Sequence, residues 1–261
     1  MSHVIITGAS SGIGEALART YAGAGHSLTL VARREARLQA LAASLDVPCH
    51  VAVHDLSDPA SAADFLPAAI AANGPVDVLI NNAGMQVIGR TDEVDIDTCE
   101  RSLRLNLLTP LRLTRAVLPS MKARKSGIII DIASMAALAP TPGMAWYSAS
   151  KAGLAAASDA IRAELMGTGV HVVTVYPGII GETDMGGLGL TRYKETAALK
   201  MQPQGTAAEL AKRILKAGKK RKDRVIYPAF NTTARHFPGL TRWVMDHFSP
   251  ELVDAPDEDA K

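Results

Sequence analysis

Cysteine is nearly absent from this chain: Cys49 and Cys99 are the only two in 261 residues. Two thiols can build neither a disulfide framework nor a cysteine-rich metal site, and they point to a reducing compartment. Aromatic residues make up 4% of the sequence, too few for a stacking platform that would hold single-stranded nucleic acid. An excess of one charge is also missing. Lys and Arg total 28 and Asp and Glu 26, a net charge of +2, so the global balance offers no case for nucleic acid. No apolar run approaches the roughly 18 residues of a spanning helix. The opening MSHVIITGAS lacks a charged leader ahead of an apolar stretch and a cleavage site. A soluble, cytoplasmic protein is expected.

What is present is ordinary in amount and regular in order. The chain is 48% hydrophobic and 21% charged, as soluble globular proteins are. Apolar, β-branched runs at 4–7, 28–32, 50–53, 78–81, 128–132, 171–175 and 224–227 alternate with helical stretches at 13–24, 35–44, 60–72, 97–124, 145–167 and 206–218. Several runs are continuously apolar, as strands covered on both faces are. The alternation predicts one α/β domain over 1–261, a Rossmann-like doubly wound sheet of seven parallel strands flanked by helices. Glycine-rich 179–205 reads as a loop or small helical excursion, a lid over a substrate site. Its Met185, Leu188, Leu190 and Met201 suit an apolar pocket and suit plain packing equally.

The first strand runs into Gly8-Ala9-Ser10-Ser11-Gly12-Ile13-Gly14, and a helix follows. Glycines there allow a tight turn and close approach of backbone N–H groups to a phosphate, and the helix N-terminus adds its dipole. The spacing is G-x-x-x-G-x-G rather than the commoner G-x-G-x-x-G, and no Lys-Ser/Thr pair completes a Walker loop. The same letters also fit a G-x-S-x-G nucleophile elbow, which would make Ser10 the nucleophile of a serine hydrolase. An elbow, however, follows several earlier strands and has no use for a second glycine step. A purely structural turn is the third reading. Strand 2 ends at Arg33-Arg34, where NAD-binding folds place a carboxylate on the ribose 2′-OH. Two guanidinium groups there suit a 2′-phosphate, which favours NADP(H) over NAD(H). Arg33 is the better placed, whereas Arg34 serves as well at the start of a solvated helix.

These residues, with Asn81-Asn82-Ala83-Gly84, Ser134, Tyr147-Ser148-Ala149-Ser150-Lys151 and Tyr176-Pro177-Gly178, resemble the short-chain dehydrogenase/reductase family in order and spacing from residue 4 to about 184. The resemblance implies a seven-stranded Rossmann sheet, a nicotinamide cofactor, and interconversion of a carbonyl and a secondary alcohol. The residues themselves support acid–base chemistry. Tyr147 and Lys151 are four apart on one helix face, and a neighbouring ammonium lowers a phenol's pKa toward a working range. Ser134 follows a strand at its carboxyl end, where open α/β sheets bind ligands, and its hydroxyl would orient a substrate oxygen. The resemblance also implies that Asn106 holds a water linking Lys151 to solvent, and that Asp55 and Leu56 contact the adenine. It implies further that Asn82, Ala83 and Gly84 lie along the adenine ribose, and that Lys151 bonds the nicotinamide ribose. Pro177, Gly178 and Ile180 would receive the nicotinamide. Thr183 would contact the cofactor too, although it comes six residues after Pro177, where many relatives place a threonine at five. A helix-start or turn aspartate is the lesser reading of Asp55.

The C-terminal strand and tail, 225–261, hold five of the eleven aromatics, and Lys216, Lys219, Lys220, Arg221, Lys222 and Arg224 precede them. Such a cluster suits an anionic membrane surface or the entrance for a long apolar substrate. The blander account, a solvated helix end and a segment packing on the body or a neighbouring subunit, is preferred. A homodimer or homotetramer is the expected assembly, and a small carbonyl or alcohol the expected substrate. A non-catalytic NADP(H)-binding regulator on the same fold would be expected to lack Tyr147 or Lys151; both are present.

Overall fold

A computed structural model describes residues 1–194 and 204–253. Met201 of the expected lid and the last eight residues of the tail lie outside them. Seven parallel strands form one sheet in the order β3-β2-β1-β4-β5-β6-β7: β1 (His3–Thr7), β2 (Ser27–Ala32), β3 (Cys49–Val53), β4 (Val76–Asn81), β5 (Gly127–Ile132), β6 (Val170–Pro177) and β7 (Arg224–Tyr227). Each strand is a run of β-branched and aliphatic residues that feeds both faces, because successive side chains point to opposite sides. Ile6, Leu30, Ile80 and Ile130 share one face, which α1 (Gly12–Ala22), α2 (Glu35–Ala43) and the helix Ala207–Lys219 cover. Ile5, Val31, Leu79 and Ile129 share the other, which α3 (Leu66–Asn73) and the helices Thr109–Ala123 and Ala145–Glu164 cover. The chain leaves β1 toward β2 and later returns to its other side with β4. Between these two strands the order reverses, and a ligand crevice opens at their carboxyl ends.

Three expected boundaries shift. The 60–72 helix starts only at Leu66, because Asp58 accepts from the Ala60 N–H at 2.9 Å and from the Ser61 hydroxyl at 3.0 Å, closing turns that compete with a helix. The 97–124 helix is three pieces: α4 (Ile96–Leu103), a π-helical turn (Arg104–Leu108) and α5 (Thr109–Ala123). Within the expected lid stands a helix, α7 (Asp184–Thr191). After α6 (Ala145–Glu164) and β6, the last crossover is α8 (Ala207–Lys219), and the short α9 (Thr233–His236) and α10 (Pro238–Phe248) follow β7. The basic run therefore ends at the start of β7, whereas α10 follows its far end. Leu240, Trp243 and Phe248 of α10 are exposed. Beyond it the chain returns to the body, where Leu252 pairs with Tyr193 in an antiparallel bridge. No helix among the described residues is long and apolar enough to cross a membrane.

Candidate active site

The carboxyl ends of β1 and β4 are stitched together by one hydroxyl. Thr7 Oγ1 accepts from the backbone N–H groups of Asn82 and Ala83 at 2.9 and 3.0 Å and donates to the Ile80 carbonyl. Asn82 returns its side-chain amide to the Thr7 carbonyl at 2.9 Å. Gly8 and Gly12 both take positive φ, 67° and 56°, a region L side chains avoid. A Cβ on Gly14 would collide with the Gly8 carbonyl oxygen and come within 2.7 Å of the Asn82 amide. Ser11, before α1, makes no side-chain cap bond, so the first-turn N–H groups are left to an outside acceptor. Packing of Thr183 against Gly12, whose Cβ would lie 3.2 Å from the threonine methyl, brings the segment after β6 over this turn. The glycine arrangement fits a phosphate cradle.

Of the two arginines, Arg34 lies over the cradle. Its guanidinium donates to Ser10 Oγ at 2.9 and 3.1 Å and to Ser11 Oγ at 2.6 Å. Arg33 is exposed and close enough to Asp55 to help the Ser57 backbone bond hold that carboxyl below its ordinary value. Both arginines thus flank one edge of the crevice, with Asp55 beside them. Leu56 is buried, and its carbonyl accepts from Thr109. The same contacts bear on Ser10 as a nucleophile. Its partner is a guanidinium, which cannot accept a proton, and an elbow without a base has no hydrolytic chemistry.

Further along the crevice, Ser134 leaves β5 and accepts from the Ala136 N–H at 3.1 Å, which fixes its hydroxyl. That hydroxyl faces Tyr147 near the start of α6 closely enough to act on its phenol. Tyr147 is 6% exposed, and burial raises its phenol above the ordinary value, with only Ser134 opposing. The expected lowering by Lys151 is not found: desolvation, which penalises a phenolate, sets the direction. Lys151, one turn on, donates from Nζ to the Ile132 carbonyl at 2.8 Å, and burial brings it down to about 8. A Cβ on Gly84 would lie 3.4 Å from Lys151 Nζ and 3.0 Å from Asn106 Oδ1, so the loop after β4 closes against both. Asn106, on the π-helical turn, is clamped: Oδ1 accepts from Met85 N–H, while Nδ2 donates to the Met85 carbonyl and to Ser150 Oγ at 3.0 Å. Ser150 and Ser148 are buried away from the Tyr147 hydroxyl; Ser150 Oγ bonds the Tyr147 carbonyl instead. Pro177 and Ile180 are buried at the end of β6, and Gly178 N–H donates to the Tyr227 carbonyl at 2.7 Å. One crevice thus brings the candidate residues together, the glycine cradle at one end and Ser134, Tyr147 and Lys151 at the other.

Sequence comparison agrees with this geometry. The short chain dehydrogenase profile matches residues 2–190. The chain belongs to the short-chain dehydrogenase/reductase family. A short chain dehydrogenase of Pseudocercospora fijiensis is 39% identical over 187 residues, 70% of this chain and 60% of that protein. The structure of a short-chain dehydrogenase from Sphingobium yanoikuyae in complex with NADPH superposes with a TM-score of 0.80 at 30% identity, covering 100% of this chain and 99% of that one. The closed form of a serine dehydrogenase complexed with NADP+ gives 0.77 at 27% identity, over 86% and 93% of the two chains. This short-chain dehydrogenase also holds a buried polar group that motif reading passes over. Asp131, next to the Ile132 carbonyl under Lys151, accepts from Asn81 Nδ2 and Ser158 Oγ, each at 2.7 Å. The signal was there: a carboxylate in the strand Gly-Ile-Ile-Ile-Asp-Ile needs a partner.

Proposed function

We propose that this short-chain dehydrogenase/reductase interconverts a small carbonyl and its secondary alcohol with NADP(H), Tyr147 being the general acid and base. One observation carries the reading: a buried tyrosine beside a serine, with a buried lysine one helical turn away, at the strand ends next to the glycine cradle. NADP(H), when bound, supplies or accepts the hydride. Ser134 holds the substrate oxygen against the Tyr147 hydroxyl. Because burial keeps the phenol protonated at neutral pH, Tyr147 is ready to donate to an oxygen that gains charge during reduction. Lys151 stabilises the phenolate left behind, and Asn106 holds the Met85 backbone and Ser150 in place around it. Arg33 and Arg34 support NADP(H) over NAD(H), as do the NADPH and NADP+ of the two solved relatives.

Tyr147→Phe tests the assignment. General acid catalysis contributes about 10²–10⁴-fold, so turnover followed at the nicotinamide absorbance is expected to fall by at least that range. NADPH affinity measured by fluorescence is expected to stay within about threefold, since the buried ring remains. Retained turnover removes Tyr147 from the chemistry. Absence of turnover in the wild type with a panel of ketones, aldehydes and secondary alcohols, alongside intact NADPH binding, favours the regulator.

A further inference from the structure

The proposed chemistry leaves one buried carboxyl group without a task. Asp131 is 3% exposed on β5, on the face where Ile129 packs with residues of α5 and α6. A carboxylate in such surroundings is costly unless hydrogen-bonded and balanced by a cation. Asn81 Nδ2 donates to Oδ1, and Oδ2 lies 2.7 Å from Ser158 Oγ, whose single proton the Leu154 carbonyl, also at 2.7 Å, competes for. Both donors are neutral, so neither balances the charge. Lys151 and Ser158 are seven residues apart, about two helical turns, and project from the same side of α6. β5 runs under that side and meets Ser158 with the Asp131 carboxylate and Lys151 with the adjoining Ile132 carbonyl.

The other neighbours leave Lys151 as the balancing cation. Arg162 of α6 also acts on Asp131, but its guanidinium is engaged by Asp159 at 2.6 Å, by the Val172 carbonyl and by Thr174. Asn81 of β4, Thr114 of α5 and Thr174 of β6 are neutral. Around Lys151, α6 adds the Tyr147 phenol, and the β4 loop and π-helical turn add uncharged Gly84 and Asn106.

We propose that Asp131 is the buried counter-charge of Lys151, a positioning residue that keeps Nζ ionised and seated on the Ile132 carbonyl while Tyr147 exchanges its proton. The proposal rests on the reading of Tyr147 and Lys151 given above. Burial lowers Lys151, and Asp131 is the charge that opposes the lowering. Burial likewise raises Asp131, and Lys151 is among the groups opposing it. Coupling between two sites is reciprocal, so removing either partner must move the other's titration by the same amount.

The intact protein carrying carbon-13 at lysine Cε, with Lys151 assigned by loss of its signal in Lys151→Met, reads the ionisation directly by NMR. Wild-type Lys151 is expected to titrate at about 8, and kcat/KM for reduction to fall through the same pH. In Asp131→Asn both are expected to move down by a pH unit or more. At pH 8 activity then drops about fivefold, the ammonium fraction falling from about one half to about one eleventh, while at pH 6 it stays within about threefold. An unmoved Lys151 midpoint in folded Asp131→Asn overturns the proposal. If that variant does not fold, the Asp131 carboxyl is followed in Lys151→Met. A higher midpoint there supports the pair, and an unchanged one overturns it. The NMR signal needs no turnover, so a shifted Lys151 in a protein that reduces no carbonyl would refute the reductase reading and leave the ion pair standing.

Discussion

At the residue scale, the proposed recognition of a 2′-phosphate would come down to two guanidinium groups in different situations. Arg34 is held by Ser10 and Ser11 over the glycine turn, so its position is fixed before any ligand arrives. Arg33 is exposed, without a hydrogen bond among the described residues, and acts on Asp55 beside it. From the residues alone Arg33 was the favoured phosphate ligand, because nothing in a linear reading reveals that the loop serines seat its neighbour. A charge-assisted hydrogen bond contributes about 1.5–3 kcal/mol, which is about 10–100-fold in affinity. Arg34→Ala is therefore expected to weaken NADPH binding by that factor and NADH binding by less than about threefold. Isothermal titration with both cofactors checks this; equal losses would mean that the arginine shapes the loop rather than reads the phosphate. Arg33→Ala, measured beside it, ranks the two.

At the level of elements, the glycine turn and the strand ends do the positioning. Gly14 has no room for a Cβ, which would meet the Gly8 carbonyl oxygen. Gly14→Ala must push α1 away from the end of β1, and such overpacking costs about 1–3 kcal/mol. For a chain of this size the melting temperature is expected to fall by roughly 2–4 °C per kcal/mol, with NADPH affinity falling too. Gly239→Ala, where a Cβ meets nothing within 4 Å, is expected to leave both unchanged or raise the melting temperature slightly. A scan of both variants by differential scanning calorimetry separates crowding from a general effect of helix substitution. All seven strands were legible within a residue or two, because each is a β-branched run bounded by polar or glycine residues. The break at Asn106 was not. The π-helical turn there accompanies an amide that grips the Met85 backbone and Ser150, contacts that lie 21 and 44 residues away. A local pattern of Leu-Arg-Leu-Asn-Leu-Leu simply continues a helix. Asp131 escaped for a related reason, since its partners Asn81 and Ser158 come from two other elements.

For the whole molecule, the two-sided sheet makes the edges of the core sensitive to any group that must stay neutral to stay buried. His3, 1% exposed at the start of β1, joins three parts of the chain. Nδ1 lies 2.7 Å from the Gly74 carbonyl and Nε2 lies 2.8 Å from Thr29 Oγ1. The carbonyl can only accept, so Nδ1 carries the proton and Nε2 accepts from the threonine hydroxyl. Protonating Nε2 would turn that acceptor into a donor inside the core, and burial accordingly lowers the ring's pKa below 6.5. In the unfolded chain the ring binds its proton at about 6.5, so below that pH the unfolded state takes up more protons than the native one. Stability conferred by the neutral ring is complete above 6.5 and lost progressively as the pH falls toward the lower native value. The carboxylates that ion pairs hold low, such as Asp159 between Arg162 and Arg224, act only at more acid pH, beneath their ordinary value of about 3.8. Urea midpoints measured between pH 7.5 and 5 are therefore expected to fall in the wild type. In His3→Gln, which keeps a donor and an acceptor without titrating, the fall is expected to be shallower. Parallel slopes in the two proteins would place the acid sensitivity at another group, His26 being the next whose pKa burial lowers.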